Sequence, residues 1–395
     1  MRHRNFRLWF VGQLISLVGT WMQTIAQNWL VYELTGSAAD LGLVNFVGAV
    51  PMVLLTFYAG TIADRFDKRR VIFWCQFAMM LLALIMGFLC WTEAVRLWHV
   101  ILLAFLLGTA MAVDTPARQS FVVELVGKED LSNAIALNSS IFHGARVIGP
   151  AVAGILIAAY GASGAFFLNG ISFLAVLLAL SLMDISLIRR TGCESDSVRD
   201  QLAGVRYLRE NRVPRAIILL ISLSSLIVMP FYVLVPIIAK EVLGGNAGAY
   251  GVLMSSAAIG SLIGSLFAAN PRSVKNKGAI LVASSLAFPV LLLLLAFMKG
   301  YFTIILTLLS VGFSYVVQNA SANSLLQEHV PDHLRGRVLA LYVSMLLGMM
   351  RIGSLLLGWT AEMTSTPTAL ASFAVAGIVA SLWIRRRYPE LQTSA

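Results

Sequence analysis

The stretch Gly60-Thr61-Ile62-Ala63-Asp64-Arg65-Phe66-Asp67-Lys68-Arg69-Arg70 sets six charges in the seven residues from Asp64 to Arg70, between two apolar runs each long enough to cross a bilayer. Each Asp, Lys or Arg at the centre of a membrane span costs roughly 2.5 to 3.5 kcal/mol, so the charged insert reads as a short aqueous hairpin between two membrane helices. Composition agrees. Hydrophobic residues make up 58% of the 395 and charged residues 12%, about half the roughly 25% charged usage of soluble domains.

A hydrocarbon core of about 30 Å takes about 20 apolar residues as helix, because backbone polar groups there must be satisfied within the segment. Twelve segments qualify, near 7–33, 40–63, 71–91, 97–118, 132–159, 162–185, 214–241, 247–269, 278–298, 301–325, 335–361 and 367–384. Most links are short, so neighbouring helices run antiparallel. The polar, charged segment 186–213 separates an N-terminal half, 1–185, from a C-terminal half, 214–395. The expected fold is an all-α polytopic membrane protein with twelve transmembrane helices in two six-helix bundles.

Lys and Arg near helix ends are retained on the cytoplasmic side. With both termini inside, all but five of the 29 basic residues lie on inner segments; Arg96, Lys240 and Lys299 are outside, and Arg146 and Arg351 fall within spans. The net charge of +10 is then an inner-face bias that calls for no nucleic acid. The first apolar run exceeds a signal-peptide core and lacks a small-residue cleavage site, so it is expected to be retained. Three cysteines, Cys75, Cys90 and Cys193, give no disulfide framework.

At an offset of 204 the chain matches itself: Ser120 with Ser324, Glu124 with Glu328, Val126 with Val330, Ala136 with Ala340, Leu137 with Leu341, Ser140 with Ser344, Gly144 with Gly348, Ile148 with Ile352, Gly149 with Gly353 and Gly154 with Gly358. The matches run from the inner end of helix 4 through helix 5, and from helix 10 through helix 11. The two halves are therefore expected to be pseudo-symmetric copies in parallel orientation.

The pattern Gly-x-x-x-Asp-Arg followed by a basic triplet resembles the loop between helices 2 and 3 of major facilitator superfamily transporters, with Asp67 standing where a glycine is common. The resemblance implies that Asp64 sits against another helix end and that the arginines pair with an acid on helix 4. Asp114 is that acid, about 16 residues or roughly 24 Å along the helix, within reach of Arg65 or Arg70. Gly60, Asp64, Arg65, Arg69, Arg70, Asp114 and Arg118 are thus the expected inner gate. Asp114-Thr115-Pro116-Ala117-Arg118-Gln119, Asn133 to Asn138 and Ala145 to Gly154 resemble the drug and siderophore exporter family that includes the enterobactin exporter and macrolide efflux pumps.

Gly149-Pro150-x-x-x-Gly154 also resembles the helix 5 signature of proton-coupled antiporters. A proline removes one helical hydrogen bond, so Gly144, Gly149, Pro150 and Gly154 are the expected helix bend. Helix 4 carries Leu106-Leu107-Gly108-Thr109-Ala110 where many proton antiporters have a buried arginine.

Helix 1 bears Gln13, Ser16, Thr20, Gln23, Thr24 and Gln27 on one stripe; helix 10 bears Thr307, Ser310, Ser314, Gln318 and Ser321. Polar groups at helical period within a span mark a watery face or interhelical hydrogen bonds, and the superfamily resemblance implies a cavity lined by helices 1, 4, 7 and 10. Arg146 and Arg351 in mid-span seldom face lipid; they bind anionic substrate groups or pair within the bundle. Gln23, Gln27, Arg146, Gln318 and Arg351 are the expected substrate contacts, and a cavity with few charges suits an amphipathic organic compound.

No phosphate-loop motif is present, and His329 and His333, four apart, fall in the expected loop before helix 11, where no metal site is expected. No enzyme activity, cofactor or metal is expected. The expected protein is a monomer of the bacterial inner membrane that exports a small compound, with protons as coupling ion. A lysolipid flippase of the same fold and a non-transporting membrane sensor are the alternatives.

Overall fold

Hydrocarbon admits only helices and closed barrels across its thickness, and the described chain is helical throughout its spans. The computed structural model describes residues 3–127, 130–184, 201–270 and 276–393, and their side chains except at 53, 56–65, 132, 143, 201, 202 and 393. In the first half the helices are α1 (Arg4–Thr35), α2 (Ala38–Arg65), α3 (Lys68–Trp91), α4 (Leu97–Val126) and α5 (Leu131–Leu182). Then come α6 (Gln201–Glu210), α7 (Arg212–Leu223), α8 (Ala247–Ala269), α9 (Lys277–Phe297), α10 (Tyr301–His329), α11 (Asp332–Met363), α12 (Thr366–Arg387) and a final turn, α13 (Glu390–Thr393).

Among the described residues, 10 helices are long and apolar enough to cross a membrane. The longest breaks at Gly161, whose φ of 69° is open to glycine and strained for other residues, at the junction expected between helices 5 and 6. With both sides of that break and α2 counted, the spans are the expected twelve. Gly36 ends α1 the same way, at φ 63°, its N–H bonded to the Tyr32 carbonyl. Of the expected linker, 186–213, the part up to 200 lies outside the described residues; the remainder contains α6 and the start of α7.

The chain divides into two compact units: residues 1–36, 44–195 and 245–255 in one, and 37–43, 196–244 and 256–395 in the other. The opening turns of α2 and α8 thus belong to the unit opposite to the rest of their helix, a division finer than halves drawn at the linker.

Lipid tails are as apolar as leucine, so helices in a membrane associate through close packing and hydrogen bonds. Each unit repeats the same close approaches. In the first, a Cβ on Gly108 would collide with the Gly48 carbonyl; in the second, one on Gly312, 204 residues on, would collide with the Ala257 carbonyl. Gly154 lies against Ala247 and Gly251 in the first unit, and its repeat partner Gly358 against Ala38 and Gly42 in the second. Gly149 meets Trp21 and Val18 of α1, and Gly353 meets Leu226 and Pro230. Three of the duplicated glycine pairs are duplicated contacts, while a Cβ on Gly144 or on Gly348 would meet nothing within 4 Å.

The second seam carries one addition. The Glu362 carboxylate of α11 accepts the Ala38 and Ala39 N–H groups, at 2.9 and 3.5 Å. These donors open α2 and have no partner within their own helix. Position 158, its counterpart in the first half, is Ala158.

The span after Arg212 is irregular where the sequence suggests one plain helix. After α7 it runs as a π-turn (Ser224–Val228), a 3-10 stretch (Met229–Leu234), a short α-turn (Val235–Ile237) and a second π-turn (Ile238–Val242). Pro230 and Pro236 are the cause, since each lacks an N–H and crowds the carbonyl four residues back. The carbonyl Pro230 leaves without its helical donor is that of Leu226, which faces Gly353.

Large side chains point outward, among them Trp74 at 64%, Ile155 at 71% and Phe302 at 70% exposed. Bilayer hydrocarbon solvates this surface. Gly108→Ala and Gly312→Ala should each destabilise the purified protein by about 1–3 kcal/mol through overpacking. Gly144→Ala, whose Cβ would meet nothing within 4 Å, should not. Thermal melting in detergent checks this, and equal melting of all three variants would refute the packing role.

Candidate functional site

The site is built at the N-terminal end of α3. Asp67 caps that helix, its Oδ1 accepting the Arg70 backbone N–H at 3.1 Å. Its φ is −59°, so the position that often holds glycine in the resembled pattern makes no demand for one here, and a capping acid serves instead. Lys68 follows in the first turn, where a cation opposes the helix dipole. It is 8% exposed and bonds Glu124 of α4 at 2.6 Å. Arg69 Nε donates at 2.7 Å to the Leu180 carbonyl, one of the four at the end of α5 that lack a helical donor. Arg70 is exposed. Gly60, Asp64 and Arg65 lie on the α2 backbone, with their side chains outside the described residues.

Further along, Asp114 is buried at 0% exposure. Gln76 of α3 donates to both carboxylate oxygens, at 3.1 and 3.2 Å, and Arg118 Nε lies 2.7 Å from Oδ2. Arg118 in turn donates to Gln13 Oε1 of α1 at 3.0 Å. Three helices thus meet at one carboxylate. Arg118, one turn along α4, pairs with it, an i,i+4 spacing that makes this arginine available without any loop; of the two arginines the sequence suggested, Arg70 is exposed and the Arg65 side chain lies outside the described residues.

The expected helix bend lies inside α5, where the only non-helical dihedrals are at Gly161. Pro150 is buried, Gly149 and Gly154 are packing positions, and Gly144 faces open space.

The substrate candidates fall in three settings. Gln23 is buried, its Oε1 accepting from the Asn169 amide, so this part of the α1 stripe serves interhelical bonding; Gln27 is half-buried. Arg146 is half-buried with its guanidinium 5.5 Å from the Trp21 ring centroid, a cation–π contact. Gln318 is fully buried; its Oε1 accepts the Ser224 hydroxyl at 3.2 Å, and its Nε2 has no hydrogen-bond partner among the described residues. Arg351 is half-buried on α11, two residues from Gly353. Most hydroxyls of the two stripes bond a carbonyl one turn back, as Thr20 does to Ser16 and Ser310 to Leu306.

The lysine–glutamate pair repeats. Lys277 opens α9 and pairs with Glu328, the repeat partner of Glu124. The identity of Glu124 and Glu328 was visible in sequence; the lysines were not, because their helix carries no matching run. Gln76 and Ser224 were also missed. Neither lies in a motif, and only the fold brings them to Asp114 and Gln318.

Solved structures share the architecture across nearly the whole chain. The nucleoside transporter NupG superposes with a TM-score of 0.77 at 15% identity, covering 97% of this chain and 99% of that one. A bacterial homologue of the human lysosomal transporter Spinster, in an inward-facing conformation, gives 0.76 at 12% identity over 98% of each chain. The fold is that of the major facilitator transporters, a class of multi-pass membrane proteins.

Within it, residues 1–394 match the family model described as transmembrane secretion effector. The chain belongs to that family. It is 30% identical to the staphyloferrin A transporter of Staphylococcus aureus, over 94% of this chain and 92% of that protein. The enterobactin exporter EntS of Salmonella typhimurium is 26% identical, over 95% and 90%. Macrolide efflux protein A of Streptococcus pyogenes is 22% identical, over 90% of each.

Glu124→Gln should strand a buried lysine and destabilise the protein by about 3–5 kcal/mol. Glu328→Gln, at a pair whose side chains are 26% and 41% exposed, should cost no more than about 1 kcal/mol. Urea or thermal unfolding of the two variants reads the difference; similar losses would mean that the Lys68–Glu124 pair is not the stronger brace.

Proposed function

We propose that the chain exports an amphipathic organic compound, of siderophore or drug type, across a bacterial inner membrane, by alternating access and in exchange for protons. The observation that carries this is the likeness, nearly end to end on both chains, to the staphyloferrin A transporter, joined by the enterobactin exporter and macrolide efflux protein A. Both termini are placed in the cytoplasm, from the distribution of Lys and Arg, and the protein is read as a monomer.

In this scheme Gly60, Asp64, Arg65, Arg69, Arg70, Asp114 and Arg118 control the inner end. Conformational control of this kind needs charges whose partners differ between states. Gln27, Arg146, Gln318 and Arg351 are the substrate contacts, with Gln23 acting through Asn169. Arginine suits a carboxylate or catecholate because its fork matches those oxygens two at a time. The unmet amide of Gln318 suits a carbonyl or ether oxygen, since a buried donor without a partner gains most from finding one.

Efflux into inverted vesicles under an imposed pH gradient, with a macrolide, a catecholate siderophore, a citrate-based siderophore and a lysophospholipid, tests the assignment. Gradient-driven accumulation of at least one soluble compound is expected; movement of the lysophospholipid alone would replace export with lipid flipping. Arg146→Gln and Arg351→Gln should raise KM for anionic compounds about tenfold, the equivalent of about 1.4 kcal/mol, and leave neutral ones nearly unchanged. Equal effects on both would assign the arginines to folding. Asp64→Asn should reduce flux without reducing the amount inserted in the membrane, and unchanged flux would remove Asp64 from the gate.

A further inference from the structure

The repeat shows what packing alone requires. Where α5 meets α1, Gly149 closes on Trp21, the Val18 carbonyl and the Met22 backbone; where α11 meets the span after α7, Gly353 closes on the Leu226 carbonyl and Pro230. Val18 thus answers to Leu226 and Met22 to Pro230, which sets Trp21 against Met229. The offset of 204 sets Phe142 against Leu346 and Arg146 against Met350. Two methionines and a leucine fill these places in the second half. In the first half the same places hold an indole, a phenyl ring and a guanidinium. Arg351, the arginine of the second half, sits one residue past Met350, about 100° round the helix. Apolar side chains complete this seam once already, and an arginine midway along a span is costly unless it serves a ligand or a partner. Packing therefore does not account for Trp21, Phe142 and Arg146.

We propose that these three side chains form a shelf for the aromatic ring of an anionic substrate, of aryl carboxylate or catecholate type. The proposal rests on the export reading and deepens it by naming the substrate class. All three residues belong to the first unit. The Trp21 and Phe142 rings meet edge to face, their centroids 5.8 Å apart and their planes at 71°. The Arg146 guanidinium lies 5.5 Å from the same indole centroid, and Phe142 and Arg146 are one turn apart on α5. Phe142 is 43% exposed, while Trp21 and Arg146 are half-buried. Polar residues flank the rings: Thr24 on α1 and Asn138 on α5 are both exposed, each about one turn from its neighbouring ring.

Such a corner recognises two properties at once. An arene laid against Phe142 gains the contacts that aromatic pairs make beyond area burial. Its anionic oxygens meet the guanidinium, whose planar fork takes oxygens two at a time. The indole already holds that guanidinium by a cation–π contact, so less side-chain freedom is lost when the anion arrives. A saturated ring of equal charge forfeits the ring contacts, and a neutral arene forfeits the ionic one. A ring-free polycarboxylate meets Arg146 alone. Selection is therefore for ring and charge joined in one rigid group.

Saturation-transfer NMR of the protein in phospholipid nanodiscs, with empty nanodiscs as the blank, reads binding without transport. Three probes separate ring from charge: 2-naphthoate, its saturated analogue decahydro-2-naphthoate, and the neutral 2-naphthylmethanol. The wild type should bind 2-naphthoate about five- to tenfold more tightly than either of the others. Trp21→Met and Phe142→Leu, the residues of the second half, should each lower the affinity for 2-naphthoate to that for the saturated acid. Arg146→Met should lower it to that for the neutral arene. Equal wild-type affinity for the aromatic and saturated acids overturns the assignment, as does an unchanged ring preference in Phe142→Leu, whose exposed side chain can be replaced without unfolding the protein. Equal weakening of all three probes in the variants would reduce the trio to a structural role and also overturn it. If no siderophore or macrolide moves in inverted vesicles, the export reading fails on its own account, and the NMR contrast still decides whether the shelf exists.

Discussion

Hydrocarbon offers a peptide group no partner, and the structure follows from that. Each span closes its hydrogen bonds along its own axis, so helices must find one another by shape. The points of contact are accordingly glycines against carbonyls: Gly108 at Gly48, Gly312 at Ala257, Gly154 at Gly251 and Gly358 at Gly42. Where a span breaks the rule, as after Leu223, the Leu226 carbonyl, to which Pro230 can donate nothing, lies over Gly353.

Charge within the spans obeys the same economy. Lys68 and Glu124 neutralise one another, Arg118 lies against Asp114, and Arg146 rests over an indole. The Asp114 pair is bonded further: Gln76 and Gln13 extend it to α3 and α1. These contacts tie helices of the first unit to one another.

Much of this was legible in the residues. Span number, the junction at Gly161 and the duplication follow from apolar run length, glycine placement and the 204-residue offset, all of which reflect constraints local to one helix or repeated by descent. The Glu124–Glu328 match was visible while its lysine partners were not, since Lys68 and Lys277 sit at a different spacing in unlike surroundings. Asp114 was legible as the helix 4 acid near the inner boundary; its pairing with Arg118 was not, because sequence order does not show which of several arginines a rotamer brings close. The broken helix after α7 had its signal in Pro230 and Pro236; proline alone does not say whether a helix kinks, widens or tightens, and the packing around Gly353 settles that.

The Glu362 contact makes the duplication unequal. One glycine seam, at Gly154, closes on the backbone of Ala247, Gly248 and Gly251 with a long 3.5 Å bond from the Ser255 hydroxyl to the Val147 carbonyl beside it, whereas its twin at Gly358 is joined by a carboxylate that grips two amides at the head of a helix. Parting the twin must strip a charged group of its bonds as well as separate smooth surfaces. Two seams related by one repeat thereby differ in the bonds that opening them must undo.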